Sequence, residues 1–186
     1  MKSTIGALCC AVAVLLAGCS TLPGVQDPSG VDVSVIGLTD QKVMMYYGQG
    51  DTSQPDPYLP SGQLLVTSSN PFVVLRIGIA SIRNAFVTLD DAEAKDSSGT
   101  VVARLSSKKD FLDLLGRQST DEQLLAQLGV KVERTYFPGG GLRMDPGNRS
   151  FAVVLMGKTQ FPTPLTVTAQ LSVEGTARVF QFQWPN

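Results

Sequence analysis

Apolar and polar positions along the chain follow three regimes. From Val31 onward short stretches alternate at period two: Val31, Val33 and Val35 are interleaved with Asp32 and Ser34. Near the C-terminus Val167, Ala169, Leu171 and Val173 are interleaved with Thr166, Thr168, Gln170 and Ser172, and Phe180, Phe182 and Trp184 with Gln181 and Gln183. Alternation of this kind marks strands with one buried face. Further strands are expected at Val43–Tyr47, Gln63–Thr67, Phe72–Ile79, Ala85–Leu89, Val101–Leu105, Val130–Tyr136 and Phe151–Met156. Turn chemistry separates many of them: Asp96-Ser97-Ser98-Gly99, Phe137-Pro138-Gly139-Gly140-Gly141 and Asp145-Pro146-Gly147-Asn148.

The period changes between residues 107 and 128. Ser107-Lys108-Lys109-Asp110 precedes Phe111-Leu112-Asp113-Leu114-Leu115 and Gly116. Ser119-Thr120-Asp121-Glu122 precedes Leu124, Leu125, Leu128 and Gly129. Both stretches open like capping boxes and close on glycine, which predicts two short helices leaning their leucines on the body. The expected fold is therefore mainly β: an antiparallel immunoglobulin-like or transthyretin-like sandwich over residues 31–186, about nine strands, with a short helical hairpin inserted at about 107–128. The stretch from Leu142 to Leu155, with its Met-Asp-Pro-Gly turn, resembles late strands of immunoglobulin-like domains.

The third regime is the N-terminus. Met1-Lys2 is followed by an apolar run from Ile5 to Leu16, shorter than the ~20 residues that span a bilayer and of signal-peptide length. It ends in Leu16-Ala17-Gly18-Cys19. This resembles the lipobox of bacterial lipoproteins. The resemblance implies a signal peptide at 1–18, cleavage before Cys19, acylation of Cys19, and a lipidated tether at 19–30. Two or more acyl chains anchor a protein stably, where one binds reversibly. Residue 20 is Ser, not Asp, which by the same resemblance favours the outer membrane, facing the periplasm, over the inner membrane. The Pro-, Gly- and Ser-rich stretch from Ser20 to Gly30 reaches at most about 36–40 Å, so the body is expected close to its membrane.

Composition then removes whole classes of chemistry. The 186 residues include no histidine and 3 cysteines, at positions 9, 10 and 19. The body beyond Cys19 thus has no disulfide, no catalytic thiol and no zinc site built from Cys or His. With 15 Lys and Arg against 16 Asp and Glu, and no basic block, the chain lacks a nucleic-acid surface. No cofactor or metal is expected, and no enzymatic activity.

Four features could still carry chemistry. Ser106 and Ser107 beside Lys108 and Lys109 read as a helix cap with solvated lysines. Asp90, Asp91, Glu93 and Asp96 are dense enough to suggest calcium, but alternate strand residues face opposite ways, so a solvated hairpin is expected. Gly139-Gly140-Gly141 lacks the Lys-Ser/Thr ending of a phosphate loop. Phe180, Phe182 and Trp184 could stack on sugars or peptides, yet such a stripe more often faces the core.

The stretch from Gly48 to Gly62, with three prolines and no period, is expected as a long exposed loop. Tyr47, Asp51, Asp56 and Tyr58 are its candidate contacts for a partner, and shortening it is expected to leave stability nearly unchanged. The sequence thus predicts a non-enzymatic lipid-anchored envelope protein holding a protein partner, or alternatively a module binding glycan, peptide or lipid.

Overall fold

The computed structural model describes residues 29–47, 56–59, 72–157, 161 and 163–185. Among them are eight strands and three helices: β1 (Val31–Leu38), α1 (Asp40–Tyr47), β2 (Phe72–Ser81), β3 (Ala85–Lys95), β4 (Val101–Leu105), α2 (Lys108–Gln118), α3 (Glu122–Thr135), β5 (Leu142–Met144), β6 (Gly147–Gly157), β7 (Leu165–Val173) and β8 (Thr176–Trp184). The strands form one antiparallel sheet in the order β1-β2-β6-β4-β3-β7-β8, with β5 pairing with β3. The sheet curls into a nearly closed, barrel-like sandwich. The mainly antiparallel β expectation holds at this level.

Register explains the interior. Cross-strand partners share a face, so Val35 opposite Ile77, Leu75 opposite Val153 and Val167 opposite Phe182 build one inner layer. The other face of β2 and β6, with Phe72, Val74, Ala152 and Val154, is equally buried. It is covered from outside by α2, α3 and the residues around Tyr58. A strand buried on both faces loses its alternation, which is why Phe72 to Leu75 is an unbroken apolar run.

β1 and β8 are the two edges of the sheet, and both run the same way along the barrel. Side chains of β8 close the seam between them. Trp184 Nε1 donates to the Leu38 carbonyl at 3.1 Å, and Arg178 donates to the Val31 carbonyl at 2.8 Å. Gly37 makes the approach possible: a Cβ there would sit 2.5 Å from Trp184 Cδ1 and 2.9 Å from Phe182 Cε2. The aromatic stripe of β8 is half-buried and packs on the core, as expected for a core-facing strand.

The β7–β8 hairpin turns on Glu174 and Gly175, with φ of +50° and +80°, the paired positive dihedrals of a two-residue hairpin. Glu174 tolerates this because its backbone N–H donates to the Phe86 carbonyl and its Oε1 accepts from the Phe86 N–H at 2.8 Å. The Asp96–Gly99 turn forms as predicted, with Asp96 Oδ1 accepting from the Ser98 and Thr100 backbone N–H groups. The Ser98 hydroxyl, which donates to the same oxygen, and then these backbone donors favour the carboxylate and lower the Asp96 pKa.

Two predicted strands are helical instead. Val43–Tyr47 belongs to α1, where Val43 and Tyr47, four residues apart, are buried while Met44, Met45 and Tyr46 are exposed. The five-residue run VMMYY has no period of its own, so its apolar character alone could not separate strand from helix. Val130–Tyr136 is largely the second half of α3, which continues through Gly129 to Thr135. An internal glycine costs a helix about 0.5–1 kcal/mol. The continuing apolar row of Leu124, Leu128 and Val132 outweighs it, because Leu128 and Val132 are buried against the sheet. Likewise α2 passes Gly116 and ends at Gln118, so the helical insertion spans 108–135 rather than 107–128. The predicted starts are right in kind. Ser107 forms a capping box with Asp110, and Asp121, rather than Ser119, caps α3 by accepting from the Leu124 N–H at 3.0 Å. The bonds from Ser107 lower the Asp110 pKa. The predicted strand Gln63–Thr67 lies outside the described residues.

Candidate functional site

The residues proposed to meet a partner are placed in two different ways. Asp51 and the lipidation residue Cys19 lie outside the described residues. Tyr47, Asp56 and Tyr58 are described, and all three are buried rather than displayed on an exposed loop. The segment 56–59 tucks beneath α3. Asp56 Oδ1 accepts from the Tyr58 N–H at 3.0 Å, turning the chain so that the Tyr58 ring enters the core. Asp56 Oδ2 accepts from Lys131 Nζ at 2.7 Å, and the Tyr58 hydroxyl lies 2.7 Å from Thr135 Oγ1. Lys131 and Thr135, both in the segment read as a strand, occupy one face of α3 because they are four residues apart.

Around Tyr58 the rings form a continuous stack. Tyr58 packs on Phe111 at 5.7 Å between centroids and on Tyr47 at 5.0 Å. Phe111 also meets Phe72 edge-on at 5.5 Å and Tyr136 at 6.0 Å. The cluster joins α1, the 56–59 segment, α2 and β2. Tyr136 finishes it on the polar side: its hydroxyl donates to the Ser106 carbonyl at 2.9 Å and accepts from the Val154 N–H at 3.2 Å. It thereby completes the ladder of β6 where β4 stops. Burial raises the pKa of Tyr47, Tyr58 and Tyr136, the hydrogen bonds to Thr135 and Ser106 opposing it in the last two. These groups are built into the core, so the part of the expected exposed loop that holds Asp56 and Tyr58 is buried.

The remaining candidates are satisfied locally. Ser106 is buried with its hydroxyl on the Val154 carbonyl, while Lys108 pairs with Glu133 and Lys109 with Asp113. The Ser107 hydroxyl donates to the Asp110 carboxylate at 2.6 Å within the cap of α2. Asp90 accepts from Thr88 and Ser172, Asp91 from the Ala92 N–H, and Glu93 pairs with Lys95 at 2.6 Å. A β-bulge between Leu89 and Asp91 further breaks the alternation of this stretch. Among the described residues no three or more Asp, Glu, His or Cys side chains converge to hold a metal. Gly139-Gly140-Gly141 forms a turn, and at Gly141 a Cβ would sit 2.6 Å from the Phe86 ring.

One surface was not anticipated. Met44, Met45 and Tyr46 are exposed together on α1, and the Arg76 guanidinium lies under the Tyr46 ring, 4.6 Å from its centroid. Beneath them the Tyr47 hydroxyl and Arg76 Nε are buried, with no hydrogen-bond partner among the described residues. Methionine is flexible and polarisable, and the guanidinium–ring contact fixes the Tyr46 ring beside it. The sequence signal was the i, i+4 pair Val43 and Tyr47, whose helical reading turns Met44, Met45 and Tyr46 outward.

Among the described residues no helix is long and apolar enough to cross a membrane. Comparison with protein-family models and with curated proteins gives no match for this chain.

Proposed function

We propose that the chain is a lipid-anchored, non-enzymatic protein of the bacterial cell envelope, an accessory component that holds a protein partner near the membrane. The observation that carries this reading is Leu16-Ala17-Gly18-Cys19 at the end of a short apolar run. Outer-membrane placement facing the periplasm is favoured by Ser20. Absence of catalysis is supported by the chemistry of the body, which has neither histidine nor free thiol beyond Cys19. Its described carboxylates at 90–96 are bound to neighbouring hydroxyls, amides or lysines. The partner surface is the exposed α1 face of Met44, Met45 and Tyr46, in place of the buried Tyr47, Asp56 and Tyr58. At the level of fold family, an immunoglobulin-like or transthyretin-like relationship is supported by the antiparallel ladders and the Asp145-Pro146 turn into β6.

Cys19→Ser tests the anchor. The variant is expected in the soluble fraction with its body intact, whereas salt- and carbonate-resistant membrane association equal to the parent's would overturn the proposal. Cross-linking from position 45 in the native envelope tests the partner surface: a discrete adduct lost on Tyr46→Asp is expected, and an adduct indifferent to that change would move the surface elsewhere.

A further inference from the structure

Sheet topology gathers one set of features at a single rim of the barrel. β1, β3, β6 and β8 start there, and β2, β5 and β7 end there. The described chain enters at this rim, and the entry is fixed. Arg83 Nε donates to the Ser29 carbonyl, Arg178 donates to Ser29 Oγ at 2.9 Å, and the Ile82 N–H donates to the Gly30 carbonyl at 3.1 Å. Gly30, at φ +68°, leaves no Cβ where one would press on Ile82 Cγ1 at 3.0 Å. Beside the entry Ile82 stands out from the β2–β3 connection, 72% exposed and the most exposed large apolar side chain among the described residues.

Arg83, Arg143 and Arg149 are exposed on the same rim. Arg143 lies over the half-exposed Phe86 ring at 5.8 Å. Among the described residues none of these three arginines has a carboxylate within ion-pair distance. Among the described residues the acidic groups of the rim are Asp145 and Glu174, with Asp32 one position up β1, and Glu174 is held by the Phe86 N–H. The opposite rim carries charges of both signs, Asp40 and Lys42 on α1 and Lys95 beside the Asp96 turn.

We infer that this rim rests on the bilayer in which the chain is anchored, with Ile82 entering the interfacial region and Arg83, Arg143 and Arg149 on phospholipid phosphates. The inference rests on the lipid-anchor reading above. A protruding apolar tip ringed by guanidinium groups suits the boundary between headgroups and acyl chains, where arginine keeps its charge in water and its stem on apolar surface. Nine residues lie between Cys19 and Ser29, so ten residue steps span at most about 33–36 Å. Tethering at that range raises the effective concentration of the membrane for this rim, so contacts too weak to bind a free protein suffice to orient a tethered one. The α1 face, beyond the other end of β1, is then left open to a partner.

The test uses the full acylated protein in vesicles of phosphatidylethanolamine and phosphatidylglycerol. With the signal removed and Cys19 acylated, the chain has no other thiol, so Ile82→Cys and Met45→Cys each give one labelling site for an environment-sensitive fluorophore. Circular dichroism matching the parent checks the fold. Lipids brominated high on the acyl chain are expected to quench the label at 82 and leave that at 45 unchanged. Changing Arg83, Arg143 and Arg149 together to Glu is expected to keep flotation with the vesicles while reducing the quenching at 82. Equal quenching at 82 and 45 in protein that floats would overturn the inference with the anchor intact, and unaltered quenching in the Glu variant would overturn the role of the arginines. Failure of the parent protein to float would overturn the anchor and, with it, the inference.

Discussion

Replacing Phe111 by alanine removes the ring that joins the helical hairpin to the barrel. Phe111 is fully buried, stacked at 5.7 Å on Tyr58 and 6.0 Å on Tyr136, and edge-on to Phe72 at 5.5 Å. Truncations of buried Phe cost about 3–5 kcal/mol. The upper part of that range is expected, because three aromatic neighbours lose a partner at once and two of them, Tyr58 and Tyr136, are held in place by hydroxyl bonds that resist collapse into the void. A cost of about 4 kcal/mol is a large share of the ~5–15 kcal/mol total of a domain. Urea unfolding can be followed by the single tryptophan, Trp184, which sits at the β1–β8 seam on the Leu38 carbonyl. With a slope of about 2 kcal/mol/M, the midpoint should fall by about 2 M with no change of slope. The control is Lys109→Ala, which removes an exposed i,i+4 pair with Asp113 and should move stability by less than about 0.5 kcal/mol. A loss below about 1 kcal/mol for Phe111→Ala, or a Trp184 transition that ignores it, would mean that the hairpin is an appendage and the stack does not couple the layers.

Further outcomes follow from the same contacts. Asp56→Ala and Lys131→Met should each destabilise by about 2–4 kcal/mol, since each leaves a buried polar group without its partner, and the double-mutant cycle should show coupling of about 0.5–3 kcal/mol. Coupling near zero would mean that the pair does not fasten segment 56–59 to α3. Burial raises the pKa of Tyr47, Tyr58 and Tyr136. Folding therefore favours their neutral forms, and the stability they contribute is complete below the unfolded value of about 10 and lost as pH rises above it. Tyrosinate absorbance should thus rise together with unfolding in an alkaline titration, and full ionisation of all 4 tyrosines with the fold intact would contradict that burial. Gly37→Ala places a Cβ 2.5 Å from Trp184 Cδ1, so it should cost about 1–3 kcal/mol by overpacking and shift Trp184 emission to the red. An unshifted spectrum with full stability would deny that Trp184 closes the seam.

The strands β7 and β8 were readable because each has one buried face and strict alternation, and the caps Ser107 and Asp121 because capping is local chemistry. What escaped was decided by tertiary packing. VMMYY became a helix because Val43 and Tyr47 meet the core together, and Gly129 failed to end α3 because Leu128 and Val132 hold the helix to the sheet on either side of it. The stretch containing Asp56 and Tyr58 looked like an exposed loop because it is rich in proline and glycine. The side chains of Asp56 and Tyr58 are instead held by Lys131 and Thr135, residues some 75 positions away that no local pattern could connect to them. The acidic cluster was read as solvated carboxylates, and its described members do end on neighbouring hydroxyls, amides and lysines.

The anchor is the claim on which function and orientation both depend, and intact-mass and peptide analysis of the protein isolated from membranes addresses it directly. The account predicts a mature chain beginning at Cys19, with acyl groups on its sulfur and its amino group and no trace of residues 1–18. A chain that begins elsewhere, or that carries an unmodified Cys19 thiol, would contradict it.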